Sequence, residues 1–287
     1  MSQFFIGIDG GGTGSRAVVA DKSGTILGRG TSGAANIVTD PEQSTKHILE
    51  AVHKAFDMAA LDTSLYAQSV AILGLAGANI ANARDAILSQ MPFAHSEIVS
   101  DGLIALQGAL GDEDGTVIIL GTGSAYVTRI GENISWRGGW GFQLSDLGSG
   151  ARLGRSLLQE VLLSYDCIIP ASPLTEHVMA QFGHEPAQLV EFAKTARPSA
   201  YAAFAPDIFI HADQGDQVAL KVIEQAAADI AQTLRVLIAE GTTQISMLGG
   251  LAPLYKKYLP VEQQALIVTP QAEALDGALQ LALKKSR

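Results

Sequence analysis

Ile8-Asp9-Gly10-Gly11-Gly12-Thr13 is the stretch whose reading decides the fold. It ends an apolar run over residues 4–9 that reads as a buried strand, and residues 16–20 read as the strand returning from it. Consecutive glycines let the backbone approach an anion closely, and their N–H groups can converge on phosphate oxygens. Thr13 adds a hydroxyl donor, and Asp9 is placed to hold a magnesium ion through water. One alternative is an empty glycine-rich hairpin. Another is a dinucleotide fingerprint, since Gly12-Thr13-Gly14-Ser15-Arg16-Ala17 fits G-x-G-x-x-A. That motif must open a helix, whereas residues 16–20 read as strand. No Gly-Lys-Ser/Thr occurs, which excludes a Walker loop. The phosphate turn is favoured over the empty hairpin.

Outward from this turn, Asp21-Lys22-Ser23-Gly24 signals a hairpin into a third strand, 25–30. Pro41 opens a helix to about residue 60, with Ile48, Leu49, Val52 and Phe56 on one face. A strand at 69–75, a helix at 80–90 and a strand at 97–100 come next. The opening then recurs: strand 116–120, the turn Gly121-Thr122-Gly123-Ser124, strand 126–130, a hairpin at Gly131-Glu132-Asn133 and strand 134–137. Helices are expected from 150 to 164 and from 216 to 240, strands at 245–248 and 266–268, and a terminal helix over 272–283. A strand–glycine-turn–strand–hairpin–strand unit therefore appears twice, too far apart for a solenoid repeat. Two related α/β domains are expected: residues 1–105, joined by a C-terminal helix 271–287, and residues 106–270.

Bulk properties narrow the classes. The chain has 287 residues, 47% hydrophobic and 17% charged, which is a folded protein with room for two cores. A net charge of -10 is a poor match to nucleic acid. Cys167 is the single cysteine, so no intramolecular disulfide and no four-cysteine zinc or iron–sulfur site can form within one chain. The first residues lack a signal-peptide pattern, and no apolar run is long enough to span a bilayer. The expectation is a cytoplasmic protein without a membrane partner. A homodimer is left open.

Taken together, these motifs resemble the BadF/BadG/BcrA/BcrD-type ATPases of the actin-like superfamily, in their glucosamine and N-acetylglucosamine kinase branch. The resemblance spans nearly the whole chain. Asp9-Gly10-Gly11-Gly12-Thr13 matches the first phosphate motif and Gly121-Thr122-Gly123-Ser124 the second. Asn36 matches the sugar-loop asparagine, and Asp101 in Ser100-Asp101-Gly102 the catalytic aspartate. Gly138-Gly139-Trp140-Gly141 and Ser145-Asp146-Leu147-Gly148-Ser149-Gly150 match the sugar-binding segment. Leu248-Gly249-Gly250 matches the adenosine motif, and residues 273–279 the terminal helix. The resemblance implies two actin-like (ribonuclease H-like) domains flanking a central cleft. It also implies ATP and Mg²⁺, and phosphoryl transfer to the 6-hydroxyl of an amino sugar. Two positions depart from the animal N-acetylglucosamine kinases: Ala125 where they carry Asn, and Phe142 where they carry His. The Asn36 loop and the Asp146 segment are closer to bacterial glucosamine kinases.

Each site residue also has a plain reading. Asp101 precedes an apolar helix and could be only its N-cap, as could Asp146 for the helix after it. Asn36 could be a turn residue, and Trp140 ordinary packing. The resemblance makes Asp101 a general base and Asn36, Gly139, Trp140 and Asp146 sugar contacts. Two carboxylates, Asp101 and Asp146, could favour the protonated amine of glucosamine, while Ala125 and Phe142 could supply an apolar recess for an acetyl methyl. The six histidines are scattered and carry no assigned role. A dehydratase-activator ATPase would need more thiolates than Cys167 supplies. A sugar-sensing transcription factor would need an added DNA-binding domain, and a filament former would need polymerisation surfaces.

Overall fold

The computed structural model describes residues 4–12, 14–37, 40–78 and 81–285, so Thr13 and the expected helix start at residue 80 lie outside the described residues. The chain divides into two compact units, one running to Glu113 and resuming at Thr269, the other Asp114–Val268. The expected cut after residue 105 would fall inside a helix, Asp101–Leu110, that belongs wholly to the first unit. Its Ile104 is buried with Phe5, Val18, Ile72 and Leu279, so cutting there would expose an apolar face.

In the first unit, β1 (Phe4–Gly10), β2 (Ser15–Asp21) and β3 (Ile26–Ser32) form an antiparallel meander. β4 (Ser69–Leu75) and β5 (His95–Ser100) add in parallel on the other side of β1, giving the order β3-β2-β1-β4-β5. Both faces are covered. Ile6, Ile8, Ala17, Val19, Ala71 and Leu73 pack with Ile48, Val52 and Phe56 of α1 (Pro41–Met58). Their neighbours Phe5, Val18, Ala20, Val70 and Ile72 pack under the helix Asp101–Leu110 and the terminal helix Ala274–Lys284. Between β4 and β5 lies α2 (Ala81–Leu88), which makes Asp101–Leu110 α3. Double-sided burial is why these strands read as unbroken apolar runs rather than alternating ones.

The second unit repeats the plan. β6 (Gly115–Leu120), β7 (Ser124–Ile130) and β8 (Asn133–Gly138) form the meander, and β9 (Ile245–Leu248) and β10 (Ile267–Val268) extend it in parallel, in the order β10-β9-β6-β7-β8. Between β8 and β9 the chain inserts α4 (Gly150–Tyr165), four shorter helices and the long helix Gln217–Ala239, whose N-cap is Asp216. Their apolar stripes and one sheet face make a single core around Ile118, Leu157, Ile208, Ile230 and Leu234.

Strand register decides which turns share an edge. Gly10 of β1 pairs with Leu75 of β4, and Leu75 pairs with Ser100 of β5. The glycine turn after β1 and Asp101 after β5 therefore leave the same carboxyl edge, two strand spacings (about 10 Å) apart. In the second unit Ile119 pairs with Leu248, so the turn at Gly121 and the one at Gly249 also share an edge. Carboxyl ends of parallel strands are where open α/β sheets bind ligands.

Candidate active site

In the first unit, the turn after β1 is closed by its own backbone: the Gly11 N–H donates to Gly14 O at 2.9 Å. Gly11 is committed internally, and no hydrogen bond is found for the Gly12 N–H among the described residues. No atom lies within 4 Å of where a Cβ on Gly11 or Gly12 would stand. The Asn36 loop joins the turn directly, because the Ala35 N–H donates to Gly11 O at 2.8 Å.

Asp9 lies opposite Arg16 in the β1–β2 ladder. Arg16 Nη2 donates to Asp9 Oδ2 at 2.7 Å, and Nη1 donates to Glu273 Oε2 at 2.7 Å. Sequence motifs give Arg16 no role, although a hairpin closed by Gly11 and Gly14 pairs residue 9 with 16. Nothing in the sequence points to Glu273 as its second partner. The guanidinium is half-exposed, so the bridge adds little stability; what it does is hold the Asp9 carboxylate in place. Burial opposes the Arg16 charge, but the hydrogen bonds and charges of Asp9 and Glu273 outweigh it and raise its pKa.

Asp101 is not the cap of α3. Ser100 caps it, accepting from the Leu103 N–H, and Asp101 is the first helical residue, its carboxylate accepting from the Gly102 N–H at 2.9 Å. Protein crowded around the carboxyl raises the Asp101 pKa above the ordinary carboxylate range. The Gly102 hydrogen bond opposes this, and the charge of Asp9 adds to it. The side chain nonetheless keeps solvent contact, which limits the shift.

The second unit has a matching turn. The Gly121 N–H closes it onto Gly123 O at 3.0 Å, and the N–H groups of Thr122 and Gly123 have no hydrogen bond among the described residues. The first N–H groups of α4, from Gly150 and Ala151, donate to Gly121 O and Thr122 O. Asp146 is buried, with φ +55°, and its Oδ1 accepts from the Gly141 N–H at 3.2 Å. Its Oδ2 would lie 2.9 Å from a side chain at Gly123. The cap of α4 is Ser149, so Asp146 is not the cap either. Burial raises its pKa, against the Gly141 hydrogen bond and the charge of Arg152.

Trp140 does not have the ordinary packing of its plain reading. It is 80% exposed, while Phe142 is buried against Tyr201 with ring centroids 5.0 Å apart. Gly249 has φ +93°, and a side chain there would meet Leu120 O at 2.3 Å; nothing crowds Gly250. Each unit thus gathers its own set: Asp9, Gly10, Gly11, Gly12, Asn36 and Asp101 in the first, and the remaining described candidates in the second.

The sequence model of the BadF/BadG/BcrA/BcrD ATPase family matches residues 6–282. The chain belongs to this family. Within it, the chain is similar to the glucosamine kinase GspK of Vibrio cholerae, 37% identical over 282 residues, 98% of this chain and 96% of that protein. It is also similar to the N-acetyl-D-glucosamine kinase of Dictyostelium discoideum, 29% identical over 78% of this chain and 76% of that one. The crystal structure of a candidate N-acetylglucosamine kinase from Chromobacterium violaceum has a TM-score of 0.89 at 30% identity, covering 98% of this chain and 99% of that one. The family places both units in the actin-like ATPase fold and implies ATP as the nucleotide.

Proposed function

We propose that this chain is an ATP-dependent amino-sugar kinase that transfers the γ-phosphoryl group to the 6-hydroxyl of glucosamine, giving glucosamine 6-phosphate. The observation that carries the reading is the 37% identity to a glucosamine kinase along 98% of the chain. In this reading the open N–H groups of Gly12, Thr122 and Gly123 bind phosphate oxygens. Gly10, Gly11, Gly121 and Ser124 shape the two turns, Thr13 adds a hydroxyl donor to phosphate, and Gly249 and Gly250 meet the adenosine. Asn36, Gly139, Trp140 and Asp146 hold the sugar hydroxyls. Asp101 accepts the proton of the attacking hydroxyl, and its raised pKa makes it a stronger base than an ordinary aspartate.

The residues also fit a magnesium ion. No cluster of three or more acidic, histidine or cysteine side chains exists among the described residues, and Mg²⁺ prefers one or two carboxylates plus waters and phosphates. Asp9, with one oxygen held by Arg16, is the residue that would hold it through water. When bound, the ion supplies charge neutralisation at the transferred phosphoryl group. Among the described residues no helix is long and apolar enough to cross a membrane, and the reading assigns the activity to the cytoplasm, with no nucleic-acid partner.

N-acetylglucosamine is the second reading, favoured by the names of two of the relatives. An acetyl methyl needs an apolar recess. Of the two residues that could line one, Phe142 is spent inside the core at 8% exposure, which supports the free amine. A coupled ADP-release assay tests both, comparing kcat/KM for glucosamine, N-acetylglucosamine and glucose. Glucosamine should lead. A tenfold lead for N-acetylglucosamine would install the second reading, and no sugar-dependent ADP release would overturn both.

A further inference from the structure

The Asn36 loop leaves β3 at Ser32, and α1 reaches it with three side chains. Glu50 Oε2 accepts from Ser32 Oγ at 2.8 Å, and Lys54 Nζ donates to Thr31 O at 3.1 Å. These two are exposed, pair with each other at 2.8 Å and reach no further along the loop than the strand end. The third, His47, reaches further, its Nδ1 standing 2.6 Å from Ala34 O. The half-buried ring lies against the loop backbone so closely that a Cβ on Gly33 would fall 2.4 Å from its Cε1. Gly33 is therefore a glycine because the imidazole occupies the place of its side chain.

The hydrogen-bond partners fix the chemistry of the ring. A carbonyl oxygen only accepts, so Nδ1 carries the hydrogen and donates to Ala34 O. Nε2 then accepts from the Gln43 amide, 2.7 Å away on the preceding turn of α1. The backbone of His47 is anchored in turn by Ser15, whose Oγ donates to His47 O at 3.3 Å. Ser15 opens β2 directly after the phosphate turn. On the loop's other side the Ala35 N–H is bonded to Gly11 O. The single peptide group joining Ala34 to Ala35 is thus clamped at both ends, its C=O by His47 and its N–H by the phosphate turn, and Asn36 is the next residue.

We infer that His47 is a positioning residue for sugar binding, which sets the Asn36 loop through the Nδ1–H bond to Ala34 and couples it to the phosphate turn. The inference rests on the amino-sugar kinase reading. His47→Leu keeps the bulk and removes both nitrogens, while His47→Asn keeps a donor near the place of Nδ1. For His47→Leu, the KM for glucosamine should rise about tenfold, the worth of one ordinary hydrogen bond. The KM for ATP should move less than twofold, and His47→Asn should recover most of the loss. A glucosamine KM within twofold of wild type overturns the inference. So does an equal rise in both KM values without recovery by His47→Asn, which would mark a purely structural role. If His47→Leu does not fold, the exposed Gln43→Leu decides: it frees the tautomer, so the ¹⁵N resonances of His47 should shift and the glucosamine KM rise a few-fold, and no change in either overturns the inference. Should wild type show no sugar-dependent ADP release, the functional reading fails, and amide exchange at Ala35 and Asn36 judges the clamp. Faster exchange in His47→Leu supports it; equal exchange overturns it.

Discussion

Gly10 and Gly12 stand two residues apart in one turn, yet replacing each with alanine should do opposite things. A Cβ on Gly10 would lie 2.6 Å from Leu75 Cδ2 and 3.1 Å from the Cβ of Ala35. That overpacks the seam between β1, β4 and the Asn36 loop, a fault that typically costs about 1–3 kcal/mol. Gly10→Ala should therefore melt roughly 3–10 °C below wild type. Gly12 has no atom within 4 Å of the same construction, and its φ is not positive. Gly12→Ala should leave the melting temperature unchanged or raise it, by up to about 1 kcal/mol of lost unfolded-state freedom. The methyl would instead occupy the space beside the open N–H. If a phosphate oxygen sits there, one charge-assisted hydrogen bond is lost or stretched, roughly 1.5–3 kcal/mol. The ATP KM should rise by roughly ten- to a hundredfold, with the sugar affinity measured without nucleotide unchanged. Thermal melting and ADP-release kinetics on the two variants decide the matter. A stable Gly12→Ala enzyme with an ATP KM within threefold of wild type would refute the phosphate turn and leave an empty glycine hairpin.

Asp101→Asn should lower kcat by about 10²–10⁴-fold while both substrates still bind, and activity within a few-fold of wild type would remove Asp101 from catalysis. The folded-state pKa of Asp101 lies above its unfolded value, so the ionised form costs stability that is absent below the unfolded pKa and fully present above the folded one. Asp101→Asn should thus be more stable than wild type near pH 8 and indistinguishable from it near pH 3, and the acid limb of wild-type kcat should sit above the usual carboxylate range. In the second unit, Gly249→Ala combines φ +93° with a 2.3 Å approach to Leu120 O and should lower the melting temperature by roughly 5–10 °C. Gly250→Ala, with open space around it, should melt like wild type and lose ATP affinity; equal melting of the two variants would contradict the turn geometry.

The strand plan of both units is legible because their central strands are buried on both faces and each is ended by glycine. Patterns of that kind depend only on neighbours in the chain. Sequence cannot weigh the competition between adjacent residues for one role. Ser100 and Asp101 are both good helix caps, and the role falls to Ser100 because β5 runs in register with Leu75 up to that residue. Aromatic placement is equally hidden. Trp140 and Phe142 are two residues apart in a glycine-rich segment, and Phe142 turns inward to join a core that includes Tyr201 on a distant helix. Arg16 is recoverable from sequence, since the hairpin register sets it opposite Asp9. His47 is not, because its contact depends on how α1 lies over β3.

The two units share one strand plan but differ at its carboxyl edge. Each closes its glycine turn with an early glycine's own N–H, Gly11 onto Gly14 and Gly121 onto Gly123, which leaves the next N–H groups outward. Beyond that common device the edges diverge. In the first unit the strands flanking the turn carry charge: Asp9 and Arg16 face each other across β1 and β2, and Asp101 comes directly after β5. In the second unit the strand beside the turn ends in Gly249-Gly250, which offers backbone and no charge. A proton acceptor needs a carboxylate whose ionisation is opposed. Burial provides most of that opposition at Asp101, and the charge of Asp9 adds to it, a pairing found only in the first unit. Asp146 stands close to the second turn, but its Oδ1 is satisfied by the Gly141 N–H and its burial favours the neutral form. In the proposed reading the base therefore lies in the first unit, while each unit offers one glycine turn with outward N–H groups.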